Sequence, residues 1–140
     1  MAEGVGFELK ITQNGGGEIY IDSKNIKSVE FFVDTIDENV KDRSEDVVNK
    51  VTVIGNITEE IKAATKDLLL WSLATKSEEI YRSAEITIRI NETTRVRKYN
   101  MDKVFCLDYK EKFNNGKGDS TFELKFSQRK DNLEGITAIC

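Results

Sequence analysis

The sequence predicts a mainly β domain with an α+β make-up. The expected form is a small antiparallel two-sheet β-barrel or sandwich, with one packed α-helix over about 58–75 and a long loop or arm over 34–46. Three observations predict it. Apolar and polar residues alternate in short runs separated by turn residues, and one run has helical spacing instead. The length of 140 residues suits a single domain with one core, taken here as 1–140 with 131–140 as a C-terminal tail.

The elements follow in order. Phe7, Leu9 and Ile11 alternate with Glu8, Lys10 and Thr12, and the run stops at Gly15, Gly16 and Gly17. A second short run over 18–22 follows at once, so the triple glycine reads as a hairpin turn. A third strand is expected over 26–33 and a fourth over 47–54. Thr58 is placed to cap a helix with Glu59 and Glu60 in its first turn. Ile61, Ala64, Thr65, Leu68 and Ser72 fall on one stripe, widened near the end by Leu69, Trp71 and Leu73. Leu70 and Trp71 can alternatively face a neighbouring subunit. Ile86, Ile88 and Ile90 give the clearest strand, a turn over 91–94 leads into a basic strand over 95–99, and 101–113 shows mixed alternation that suggests a bulge. A turn over 114–119 precedes a last strand with Phe122, Leu124 and Phe126 inside. The predicted order is four strands, one helix, four strands.

Composition narrows the chemistry. The chain has no His, which removes the usual neutral-pH base, His-containing triads and His–zinc sites, and no Pro, which removes a Pro-rich linker. A net charge of −4 disfavours a general nucleic-acid binder. The charge is uneven. Six acids (Asp34, Asp37, Glu38, Asp42, Glu45, Asp46) stand against Lys41 and Arg43 in 34–46, with Ile36 and Val40 as its clearly apolar members. Between 82 and 98, five basic residues stand against Glu85 and Glu92. Opposite poles of this kind suit head-to-tail self-association, or are simply a solvated loop and an ordinary strand face. Cys106 sits in an apolar run and reads as a small hydrophobe, and Cys140 as a frayed thiol. Neither a secretion signal nor an apolar stretch of about 20 residues is visible, which predicts synthesis in a reducing cytosol and no membrane segment.

No active site emerges. The stretch 116–120 has a glycine–lysine pair but precedes a strand where a phosphate loop needs a helix. Asp102 and Asp108, six apart on one strand, share a side if the strand is regular, yet solvated surface acids explain them as well. Glu78 with Glu79, and Asp37 with Glu38, lack an EF-hand pattern. Tyr81, Tyr99 and Tyr109 read as sheet-facing aromatics. The expectation is no catalytic residue, no cofactor and no metal.

One block carries a resemblance. The run 67–73 (Asp-Leu-Leu-Leu-Trp-Ser-Leu) leads through a polar turn to the alternating strand 84–90, then to 99–113 around Val104, Phe105, Cys106 and Leu107, then to 122–127. This resembles the tube proteins of contractile injection machines: the hemolysin-coregulated tube protein of type VI secretion, and the tail tubes of phages and bacteriocins. The likeness spans about 26–130 and lies in the order of elements more than in residue identity. Cys106 stands where the family has an aromatic or small residue, and the loop here is acidic.

The resemblance implies a two-sheet barrel with one flanking helix, assembled as hexameric rings that stack head to tail. It implies that the chain's partners are itself, sheath, and baseplate or spike proteins, and that the particle ends as a virion tail or an injected structure. It also implies a long loop between the third and fourth strands that reaches a neighbour. Asp34, Ile36, Asp37, Glu38, Val40, Lys41, Asp42, Arg43, Glu45 and Asp46 occupy that place. The polar strand faces (Glu85, Thr87, Arg89; Glu123, Lys125, Ser127) are candidates to line a lumen, or meet bulk water. Rival expectations are a baseplate or tube-initiating part of the same machine, and a monomeric barrel binding a small ligand or peptide in an apolar pocket beside the helix.

Overall fold

The computed structural model describes residues 6–13, 16–35, 47–89, 91, 94–116, 120–128 and 136–139. The arm residues 36–46 and Cys140 lie outside the described residues, and Asp34 is described through its backbone alone.

The strands are β1 (Gly6–Gln13), β2 (Glu18–Ile21), β3 (Ile26–Thr35), β4 (Val47–Asn56), β5 (Arg82–Arg89), β6 (Arg95–Lys112), β7 (Thr121–Gln128) and β8 (Ile136–Ile139). All described pairings are antiparallel, in the order β2-β1-β5-β6-β7-β4-β3, with β8 also on β6. The expected sandwich and the continuous ladder are reconciled by β6. Its first half pairs with β5 and, up to Met101, with β8; the β5 ladder reaches Val104 opposite Arg82 past a register shift, and from Val104 onward β6 pairs with β7. Between them Lys103 takes the left-handed backbone (φ 53°), a kink rarely adopted by a residue with a side chain. The two layers then face each other. Phe31 of β3 stacks on Tyr99 of β6 at 4.5 Å with planes 4° apart, although β7 and β4 lie between those strands in the ladder.

Alternation explains the interior. Leu9, Ile11, Ile86, Val51, Leu124 and Phe126 are fully buried inward residues of their strands with polar neighbours in sequence, and Val53, also fully buried, lies between Thr52 and a half-buried Ile54. A register shift between Cys106 and Asp108 resets parity, so Cys106 opposes Phe126 and Tyr109 opposes Leu124 on the same inner side.

The helical segment begins as a 3₁₀ turn, Glu59–Ile61, and continues as α1 (Lys62–Ser72). This is shorter than the expected span. Thr58 precedes it without capping by its side chain; its hydroxyl instead donates to Asn25 Oδ1 at 2.9 Å. Ile61, Thr65, Leu68 and Trp71 are buried, whereas Leu69 and Leu73, expected on the packed stripe, are exposed together with Leu70. The packed arc is narrower because Trp71 alone fills the space at the end of α1. Its ring centroid lies 6.0 Å from that of Phe126, and its indole N–H donates to the Ile80 carbonyl at 2.8 Å. That bond ties α1 to a one-turn helix, α2 (Ser77–Ile80), which the sequence reads as a turn. Two further differences concern strands: the expected runs 95–99 and 101–113 are one strand, β6, and 136–139 within the expected tail is β8. Among the described residues no helix is long and apolar enough to cross a membrane.

Candidate assembly surfaces

The segment 36–46 is flanked in sequence by the paired ends of β3 and β4. Among the described residues β4 pairs with β7 from Asn56 to Lys50, the last of these opposite Ser127. β3 and β4 continue together through Val33–Asn49, Asp34–Val48 and Thr35–Val47. Phe32 and Val33 at the base of this ribbon are 50% and 52% exposed, unusual for large apolar strand residues.

Buried polar side chains sit beside the last described pair of β4 with β7. Asn49, Ser127 and Gln128 are each at most 4% exposed. Gln128 donates its backbone N–H to Asn49 Oδ1 at 3.0 Å, and Asn49 Nδ2 donates to Gln128 Oε1 at 3.1 Å. Gln128 Nε2 donates to the Asp102 carbonyl at 2.9 Å, beside the Lys103 kink, and the Ser127 hydroxyl donates to the Asn49 carbonyl. The sequence signal was present: Asn49 occupies the apolar stripe of Val51 and Val53, a position where alternation calls for a hydrophobe.

The two strand sets considered for a lumen fall in different places. Glu85, Thr87 and Arg89 belong to the β1–β5–β6 face, where charges pair across strands. Glu85 meets Lys98 at 3.5 Å, Arg89 meets Glu8 at 3.8 Å, and Lys10 meets Glu18 at 3.5 Å. Tyr20 donates to Glu8 at 3.3 Å, and partial burial, then the Glu8 charge, hold its hydroxyl above the ordinary tyrosine range. Glu123, Lys125 and Ser127 lie on β7 beyond the Lys103 kink, with Lys125 and Glu123 3.6 Å apart. The fold does not bring these sets together. Thr87 and Ser127 are buried, whereas Glu85, Arg89, Glu123 and Lys125 are partly exposed.

Other candidates for chemistry are dispersed. Asp102 accepts from the Ser83 hydroxyl at 3.3 Å, and Asp108 lies past the register shift opposite Lys125. Among the described residues no group of three or more Cys, Asp or Glu gathers as a metal site. Burial, then Asp108, pushes the half-buried Cys106 thiol up to about 11, a protonated group at neutral pH. Beside the end of α1 a hollow of about 290 Å³ is lined by Ile19 and Leu70 but also by Glu18, Asp67, Glu79 and Arg82. Arg82 stands 5.4 Å over the Trp71 ring, its Nε donates to the Glu79 carbonyl at 3.1 Å, and burial lowers its guanidinium pKa. This hollow is charged, unlike the apolar pocket that a ligand-binding barrel predicts.

No protein-family model and no curated protein sequence matches the chain. Solved structures do. Hcp1 from Flavobacterium johnsoniae superposes with a TM-score of 0.57 at 12% identity, covering 89% of this chain and 90% of that one. The chain has the Hcp fold. Hcp1 from Salmonella typhimurium gives a TM-score of 0.57 at 11% identity over 86% and 81% of the two chains. A chain from the PVC sheath/tube terminator of an extracellular contractile injection system gives 0.54 at 11% identity over 96% and 93%. The Hcp-fold neighbours thus match the expected architecture along nearly the whole chain, and at such identity the likeness is one of backbone rather than of side chains.

Proposed function

We propose that the chain is a structural subunit that assembles with copies of itself into rings, hexameric in the reading favoured here. These rings stack head to tail as the inner tube of a contractile injection machine. The observation that carries the proposal is the Hcp fold over 89% of this chain and 90% of its Flavobacterium neighbour. The ribbon and the acidic arm beyond it support it, since an arm of one charge sign complements a basic strand region on another copy. The reading assigns no catalysis to the chain. Its partners are itself, sheath, and baseplate or spike proteins, and the assembled particle leaves the cytosol as a tail or an injected structure.

A second reading, a baseplate, initiating or terminating component, is favoured by the 96% coverage against the sheath/tube terminator structure. Light scattering of the purified chain, followed by negative-stain electron microscopy of the same fractions, tests both. The tube reading expects rings that polymerise without help, and the second expects rings that stop. A monomer at every concentration, with no ring seen, sinks both readings as stated. Deleting 34–46 is expected to leave a folded chain that no longer stacks; full-length tubes from that deletion would remove the arm from the assembly.

A further inference from the structure

We infer that the exposed leucine end of α1 and residues 95–97 of β6 are the two halves of one head-to-tail contact between copies of this chain. This contact rests on the self-assembly reading above and gives it a named surface. At the first end, Leu70 and Leu73 are 52% and 66% exposed, with Leu69 exposed beside them. Leu70 and Ile19 form the apolar wall of the neighbouring hollow, and its charged wall includes Asp67 and Glu79. Neither of these carboxylates forms an ion pair with another described residue. Arg82, the cation of the hollow, stacks on Trp71 and gives its Nε to the Glu79 carbonyl. Glu18, the third acid, is paired with Lys10. Lys66 and Lys76 belong to the same segment of chain but do not line the hollow.

The second end carries the matching chemistry. Arg95, Val96 and Arg97 are all exposed. Consecutive strand residues point to opposite faces, so both faces of β6 are uncovered here. Arg89 and Lys98 are paired within the chain to Glu8 and Glu85, whereas Arg95 and Arg97 form no ion pair with another described residue. Two unpaired acids beside leucines thus stand at one end, and two unpaired bases beside a valine at the other. β5 holds the ends apart. Arg82, its first residue, lines the hollow, and Arg89, its last, pairs with Arg95. Its eight residues span about 23 Å, too far for one chain to join its own ends. A second copy can. An arginine suits the hollow, because its methylenes lie along Leu70 while the guanidinium reaches a carboxylate. Different patches at opposite ends of one strand make a heterologous contact, the kind that closes into a ring or runs on as a filament.

The test reverses each end on the full chain. One variant carries Arg95→Glu with Arg97→Glu, and the other Asp67→Lys with Glu79→Lys. Mass is followed against concentration by light scattering and sedimentation velocity. Each variant is expected to keep the parental circular dichroism and to associate at least about tenfold more weakly. An equimolar mixture of the two is expected to recover the parental mass, because the reversed ends complement each other. Leu70→Ser with Leu73→Ser, which changes no charge, is expected to weaken association about tenfold. Parental association in the leucine variant or in both charge variants, or no recovery in the mixture, overturns the contact. If a double reversal loses the parental circular dichroism, Arg97→Glu and Asp67→Lys alone are read in the same way. A parent that stays monomeric at every concentration defeats the assembly reading and the contact with it. A parent that assembles while its variants are unaffected defeats the contact alone.

Discussion

Gly55 gives the sharpest forecast of stability. It lies in β4 opposite Ile26 and Phe122, where a strand glycine would ordinarily gain about 0.5–1 kcal/mol on becoming alanine. Here a Cβ would sit 2.6 Å from Phe122 Cε2 and 2.8 Å from Cζ, and closer still to the Asn25 carbonyl oxygen. Neither neighbour can yield. Phe122 is 1% exposed, and Asn25 is held through its backbone N–H on the Asp22 carbonyl at 3.1 Å and through its carboxamide, which donates to Asp22 Oδ1 at 2.8 Å and accepts from the Thr58 hydroxyl at 2.9 Å. Overpacking a rigid site costs about 1–3 kcal/mol, and a fixed carbonyl places Gly55→Ala at the upper end, about 3 kcal/mol. At roughly 4 °C per kcal/mol for a chain of this length, the midpoint should fall by about 12 °C in a far-ultraviolet circular dichroism melt. Gly17→Ala is the control, because no atom lies within 4 Å of its Cβ, and it should stay within about 0.5 kcal/mol of the parent. A Gly55→Ala melt within about 2 °C of the parent, or above it, would refute the close-approach argument.

Other expectations follow from the same geometry. Trp71→Phe strands the Ile80 carbonyl that the indole now satisfies, and urea unfolding should report a loss of about 1–3 kcal/mol. Leu68→Ala opens a cavity under α1 and should cost about 2–5 kcal/mol in the same assay. Cys106 keeps its proton in the folded chain up to about 11, against an ordinary 9.0, so its contribution is intact below pH 9.0 and is lost as pH rises toward about 11. Tyr109, raised first by burial and then by its bond to Glu111, adds loss of the same sign. Unfolding measured across that interval should therefore be less pH-dependent in Cys106→Ala, and an identical slope would discount the thiol. Lys98→Glu turns its partly covered ion pair with Glu85 into a like-charge pair and should cost about 1 kcal/mol, less in high salt.

Much of this architecture was legible because alternation is a strong signal where one face is buried. Leu9 and Ile11, Ile86 and Ile88, and Phe122, Leu124 and Phe126 announce β1, β5 and β7 directly. The signal failed where parity shifts. Cys106 and Tyr109 both face inward although an odd number of positions separates them, so β6 reads as broken pieces rather than as one strand. The helix face was misjudged for a related reason: Leu69 and Leu73 are as apolar as Leu68, and only the bulk of Trp71 decides which flank is covered. α2 and β8 span four residues each, too few for any period to show. The length and charge of 34–46 were plain in the sequence, but the hydrogen bonds that join the Asn49 carboxamide to Gln128, 79 positions away, were not.

The order of strands has a consequence for how the chain emerges from the ribosome. β1 and β2 form a hairpin, as do β3 and β4, but the backbone partners that complete them come much later: Leu9 waits for Ile86, and Val51 waits for Phe126. At about 5–20 residues per second, each hairpin spends several seconds with its inner row of aliphatic residues uncovered. Isolated hairpins are marginal in water, so a nascent chain ending before β5 holds no lasting structure. The domain closes in one event once β6, the strand that joins both layers, is free to pair. Until then the growing chain offers open strand edges to its polysomal neighbours, in a protein whose mature task, on the reading above, is to associate with its own kind.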